Sequence, residues 1–279
     1  MTTTSTFGRF SVYLAALLFC AWAVPALPGA GGMRMTWTNN MLRVTAPDLP
    51  GGPVEIWYLE AFCRSGSTHR DWHETTVPHQ TRLLSAEADG TRLLLETRVE
   101  PDVWLRHELK AGTDEVTFLV TATNSGAAFA DVQWFQPCLR VDRFTGRTQE
   151  DYWPRCFLYT REGLRWLDKT RRSVEALYRG GQVYVPEGID LDDVNPRPLS
   201  PDRPVNGLIG CVSADDRFLL ATAWDRTQEL FQGVIVCIHN DPRIGGLKPG
   251  ESRRLKGKLY FMKYDPAALL ERYHREFGE

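Results

Sequence analysis

The chain has 279 residues, with 33 basic and 35 acidic side chains, a formal net charge of −2, and 43 % hydrophobic residues. A charge so nearly balanced gives no electrostatic pull toward a phosphate backbone or an anionic lipid surface, which argues against nucleic acid as a partner. The length and apolar content suffice for one large β domain or two small ones to bury a core.

Residues 1–30 stand apart. Arg9 is their only charge, and an apolar stretch follows from Val12 to Val24. This reads as a signal peptide with cleavage between Leu27 and Gly32. The stretch is shorter than the roughly 20 residues a bilayer span needs, so no stable membrane insertion is expected after processing, and the product is expected to be secreted or periplasmic. Cys20 follows bulky Phe19, where a lipoprotein signal wants a small residue. The competing reading is initiation at Met33 or Met35, which leaves a cytosolic product. Residues 31–279 are expected to form a single domain. Its five cysteines are odd in number and lack CxxC pairs, and Cys138, Cys211 and Cys237 lie in apolar runs that suit buried thiols.

The first polar cluster is Thr68 to Gln80, where His69, Asp71, His73, Glu74 and His79 crowd around Trp72. His73 is a candidate acid or base, and Trp72 and His79 are candidate sugar contacts. A zinc-protease reading fails because His73 and His79 are not four apart and Pro78 intervenes. No metal is assigned.

Period-two alternation then dominates. It predicts strands at Arg92–Val99, Val103–Leu109 and Val116–Ala122, with a turn from Lys110 to Asp114 between the last two. In the run Val132–Val141, alternation sends Trp134, Gln136, Cys138 and Arg140 to one face. An aromatic face beside an amide and a guanidinium suits a pyranose, so Trp134, Gln136, Arg140 and nearby Arg143 are candidate substrate-binding residues. The plainer reading makes Trp134 a core residue and pairs Arg140 with Asp142 or Glu60.

After a strand at Gln182–Val185, Pro186 to Pro204 reads as a long ordered loop of functional character. Its Asp190, Asp192, Asp193, Asn195 and Arg197 suggest a calcium loop, but the glycine and terminal glutamate of an EF-hand are missing, leaving a plain acidic loop as the default. Strands are predicted at Leu208–Val212, Phe218–Trp224, Gly233–His239 and Arg254–Phe261. Glu229, at a strand-to-loop transition, is the leading carboxylate. His239, with Asp241 two residues on, is the leading acid or base. The tail reads as a helix, with Asp265 as N-cap, Pro266 in first position, and Leu269, Tyr273 and Phe277 on one stripe.

The closing strands, with Cys237-Ile238-His239-Asn240-Asp241-Pro242, Leu247-Lys248-Pro249-Gly250-Glu251 and Gly257-Lys258-Leu259-Tyr260-Phe261, resemble the end of the galactose mutarotase-like (aldose 1-epimerase) supersandwich family. Thr121-Ala122-Thr123-Asn124 and Val132-Gln133-Trp134-Phe135-Gln136-Pro137 resemble its earlier strands. The resemblance implies an all-β antiparallel supersandwich acting on sugars. It places His239 where the family has a general-base glutamate, and Gln136 or Trp134 where it has an acid histidine. Glutamine has no useful pKa, so ordinary mutarotation is not expected. The sequence thus points to an exported carbohydrate-active protein, an epimerase or lyase working by proton transfer, with no cofactor assigned. The alternative is a non-catalytic carbohydrate-binding or envelope structural sandwich.

Overall fold

The computed structural model describes residue 1, residues 31–179 and residues 181–278. The expected signal peptide, with Cys20, lies outside these residues. Among the described residues no helix is long and apolar enough to cross a membrane.

In chain order the strands are β1 (Arg34–Thr38), β2 (Met41–Thr45), β3 (Val54–Cys63), β4 (Thr76–Val77), β5 (His79–Ala86), β6 (Arg92–Val99), β7 (Val103–Ala111) and β8 (Glu115–Asn124). There follow β9 (Trp134–Arg140), β10 (Cys156–Thr160), β11 (Gly163–Trp166), β12 (Gln182–Tyr184), β13 (Leu208–Val212), β14 (Phe218–Trp224), β15 (Thr227–Gln232), β16 (Cys237–Pro242) and β17 (Ser252–Lys263). They make two antiparallel sheets. The first runs β1-β2-β3-β9-β16-β15-β12, with β4 added to β3, and the second runs β11-β10-β13-β14-β17-β8-β7-β6-β5.

The sandwich follows from alternation. In β7, Val103, Leu105 and Leu109 are fully buried, and in β8 Val116, Phe118 and Val120 meet them in the core shared by the two sheets. β14 is apolar on both faces for a different reason. Leu220 and Trp224 enter the shared core, whereas Leu219, Ala221 and Ala223 face Leu269 and Tyr273 of the C-terminal helix Pro266–Phe277. That helix starts as the sequence predicts, Asp265 accepting the Ala268 N–H at 3.0 Å.

One boundary differs in a way that matters. The strand expected over Gly233–His239 is instead β16, and residues 233–236 form the turn that leads into it. Gly233 N–H donates to Cys237 O at 3.0 Å, and a Cβ on Gly233 would lie 2.1 Å from Cys237 Sγ, so only glycine fits. His239 therefore sits in mid-strand with neighbours on both sides.

Candidate functional site

The chemistry gathers on the face of the first sheet turned away from the shared core. In β9, Phe135 and Leu139 enter that core, so Trp134, Gln136, Cys138 and Arg140 turn the other way. In β16 Ile238 enters it and Cys237, His239 and Asp241 turn outward, and in β15 Leu230 enters it while Glu229 and Phe231 turn outward. The register sets Cys138 and Phe231 on either side of His239, and Glu229 beside Asp241.

His239 is only 3 % exposed. Its Nδ1 lies 3.5 Å from Asp241 Oδ1, and its Nε2 lies 3.4 Å from Cys237 Sγ and 3.9 Å from Glu60 Oε2. Gln136 Nε2 donates to Asp241 Oδ2 at 3.1 Å. Behind Asp241, Glu229 is fully buried and accepts the Asn195 N–H at 2.8 Å.

These contacts shift the titration of each group. Burial, and then the charge of Asp241, push the Glu229 carboxyl well above the usual carboxylate range. Glu229 keeps its proton, and burial raises the Asp241 carboxyl as well, by less. Burial is the largest influence on His239 and opposes its charge, while Cys138 and Asp241 act the other way and the net shift is upward from the ordinary histidine value. A hydrogen bond to Cys237, together with burial, pushes the Cys138 thiol far up, and burial also raises the Asp241 carboxyl that faces the imidazole at 3.5 Å.

Above His239 opens a narrow cleft of about 110 Å³, lined by Glu60, Trp72, Gln136, Asn195, Arg197 and Phe231 among others. It shares Glu60 and Trp72 with a cleft of about 630 Å³ that contains His73 and His79. It shares Val234 and Ile235 with a third of about 500 Å³ that contains Arg140 and Arg143. The three polar stretches read from sequence thus converge on one face of one sheet, but not all on one cleft.

Several expected roles are corrected. Trp134 is fully buried against Ala61 and Cys63, so its ring offers no surface to a ligand. Glu229 lies within β15 rather than at a strand-to-loop transition, and it faces Asp241 and Asn195. His73 is exposed in the neighbouring cleft, away from His239. His79 is tied to the scaffold, with Nε2 3.1 Å from Leu59 O and its ring edge-on to Phe62 at 4.9 Å. The acidic loop is no calcium cradle, because its oxygens have separate partners. Asp193 accepts the Gly66 N–H at 3.0 Å and faces Arg243 at 3.3 Å, and Asp190 accepts the Asp192 N–H. Exposed Trp72 keeps a place beside the central cleft, as does Gln136.

Glu60, read from sequence only as a partner for Arg140, instead faces His239, and its signal is a lone carboxylate in the apolar run Trp57-Tyr58-Leu59-Glu60-Ala61-Phe62. The Cys138–Cys237 pair was also missed as a pair. With His239 it brings two sulfurs and a nitrogen within 4.8 Å of one another, a donor set that suits a soft cation. Binding there would have to displace the thiol protons and would occupy the His239 nitrogen that faces Glu60.

Fold and site together describe a two-sheet antiparallel sandwich with a buried His–Asp–Glu array under a cleft on its outer face. No protein-family model matches the chain, and no curated protein sequence matches it. In fold it is similar to galactose mutarotase-like and aldose 1-epimerase structures. One is a provisionally assigned aldose 1-epimerase of Escherichia coli K12, at 11 % identity over 83 % of this chain and 100 % of that chain, with a TM-score of 0.45. Another is a galactose mutarotase-like protein of Lactobacillus casei, at 11 % identity over 82 % and 100 %, TM-score 0.43. A third is the galactose 1-epimerase of Lactobacillus acidophilus, at 11 % identity over 83 % and 98 %, TM-score 0.40. Likeness this distant says nothing of activity.

Proposed function

We propose that the protein acts on a carbohydrate by proton transfer, as an epimerase or lyase, at the cleft above His239. One observation carries the reading: an imidazolium and a carboxylate, His239 and Glu60, stand 3.9 Å apart at the foot of a cleft walled by Trp72 and Phe231. His239 Nε2 gives its proton to a sugar oxygen and Glu60 takes one from the substrate, while Asp241 holds the imidazolium and Gln136 holds Asp241. Trp72 covers an apolar sugar face, and the Arg197 guanidinium orients the polar edge.

A second reading, sugar binding without turnover, is favoured by the small volume of the central cleft, about 110 Å³. The test is a sugar panel followed by proton NMR in D₂O, looking for anomer or epimer exchange, deuterium incorporation or an unsaturated product. His239→Gln keeps volume and hydrogen bonding but removes the titrating nitrogen. Turnover should fall on the order of 10²–10⁴-fold with folding retained, and Glu60→Gln should act alike. Because Asp241 keeps the imidazole protonated, parent activity should persist above pH 6.5, the ordinary histidine value, and decline only at higher pH. Unchanged turnover in folded His239→Gln removes His239 from the mechanism. Loss on chelation, restored by zinc, would instead reassign Cys138, Cys237 and His239 to a metal.

A further inference from the structure

The central cleft is too small to be the whole binding site. Pockets for small ligands run to roughly 300–1,000 Å³, and the central one is about 110 Å³. The clefts on either side, about 630 and 500 Å³, both fall within that range, and each shares two lining residues with the centre. Glu60 and Trp72 border one junction, and Val234 and Ile235 the other. The three form one groove along the outer face of the first sheet, pinched at His239.

Its charge pattern is unusual for this molecule. Elsewhere arginines are commonly paired: Arg82 with Glu96, Arg92 with Glu108, Arg171 with Asp202, Arg217 with Asp215, and Arg272 with Asp114. Along the groove, Arg64 lines one end, Arg197 the pinch, and Arg140 and Arg143 the other end. Among the described residues, none of these four side chains has an ion pair or hydrogen bond, and Arg140 Nε is buried without a partner. The nearby Glu55 carboxylate is already held by Arg43 at 2.6 Å. Glu74 and Asp142 line the ends and Glu60 the pinch, so the field is not uniformly positive, but none of the three forms an ion pair with these arginines. Exposed Trp57 and Trp72 stand on the Arg64 side and supply faces on which sugar rings can stack.

We infer that the groove binds an acidic oligosaccharide chain, with uronate carboxylates on Arg64, Arg197 and Arg140, threaded so that one unit lies over His239. Planar guanidinium groups without partners match carboxylates in fork geometry, and their spacing over three connected clefts requires a ligand longer than a single sugar. The inference rests on the carbohydrate reading above, but its test uses no turnover.

Binding is measured by calorimetry on the intact protein with oligogalacturonates of one to six units. The same hexamer fully methyl-esterified and a sulfated neutral hexamer serve as comparisons. The expected result is affinity that rises from one unit to about four, weakens on the order of tenfold or more on esterification, and falls as salt is raised. Arg140→Ala and Arg64→Ala, at opposite ends, should each weaken hexamer binding on the order of tenfold and leave circular dichroism unchanged. Should Arg140→Ala not fold, Arg143→Ala and Arg64→Ala carry the same comparison. Equal affinity for the ester, equal affinity for monomer and hexamer, or full affinity in the arginine variants overturns the inference. Preference for the sulfated chain over the uronate overturns the carboxylate assignment. Tight uronate binding with no turnover leaves this inference standing and removes the catalytic reading, so the two fail separately.

Discussion

His107 makes the fold acid-labile. It lies fully buried in β7 between the sheets, with Tyr58 Oη 3.2 Å from Nδ1 and Thr97 Oγ1 3.0 Å from Nε2. The neutral tautomer protonated at Nε2 satisfies both contacts: Tyr58 donates to Nδ1, and Nε2–H donates to Thr97. Burial lowers the pKa from 6.5 to about 3. Above pH 6.5 neither folded nor unfolded chain binds the proton, and this group gives no pH dependence. Below that value the unfolded chain takes up a proton that the folded chain refuses, so stability falls with falling pH. The slope is about 1.4 kcal/mol per pH unit, or nearly 3 kcal/mol by about pH 4.5 and roughly 5 kcal/mol near pH 3. Against a usual total of about 5–15 kcal/mol, that is a large share. His107→Gln retains an acceptor for Tyr58 and a donor for Thr97 without titrating. Urea unfolding of parent and variant from about pH 8 to about pH 4.5 should give curves that converge or cross as pH falls, the difference shifting by nearly 3 kcal/mol toward the variant. Parallel curves would refute the assignment of a buried neutral imidazole.

Gly257 of β17 clears space for Trp224, since a Cβ there would come within 2.6 Å of the indole. Gly257→Ala should therefore cost about 1–3 kcal/mol of stability, read as a lower Tm, and an unchanged Tm would contradict that packing. Thr68 Oγ1 donates to Leu191 O at 2.8 Å and accepts the Val194 N–H at 3.2 Å, pinning the loop beside the cleft. Thr68→Val should raise amide hydrogen exchange over residues 190–197 while leaving β16 protected, and uniform exchange in both proteins would show the loop held by other contacts. We also propose export: N-terminal sequencing of protein from its native host should begin between Leu27 and Gly32, and recovery of intact Met1 would overturn it.

Strands whose partners lie on both sides announced themselves, because β6, β7 and β8 bury every second residue in one core. The strands that escaped notice lacked that signature. β5 is a sheet edge, largely exposed, with a register shift between Leu83 and Ser85, and β3 carries a shift between Trp57 and Ala61 that breaks its period. At the site, alternation placed Trp134, Gln136, Cys138 and Arg140 on one face, but it carries no information on what lies over that face. Trp134 is packed against Ala61 and Cys63, whereas Gln136 is left at a cleft. Glu60 meets His239 only because β9 lies between their strands in the sheet, a long-range pairing that no local pattern encodes. Likewise Glu229 read as the end of a strand because its hydrogen bond from Asn195 comes from a loop far away in sequence.

The hydrogen bond from Asn195 to Glu229 joins two events that need not have been related. Asn195 and Arg197 also line the cleft, so a loop displacement that widens it for a ligand withdraws the Asn195 N–H, which lowers the Glu229 pKa. Glu229 then grips its proton more tightly, and the balance between it and Asp241 moves with the loop. Because Glu229 already keeps its proton, opening the loop takes up none there, and the apparent heat of binding at one pH should not vary with the ionisation enthalpy of the buffer. A buffer-dependent heat would show that Glu229 titrates as the loop moves.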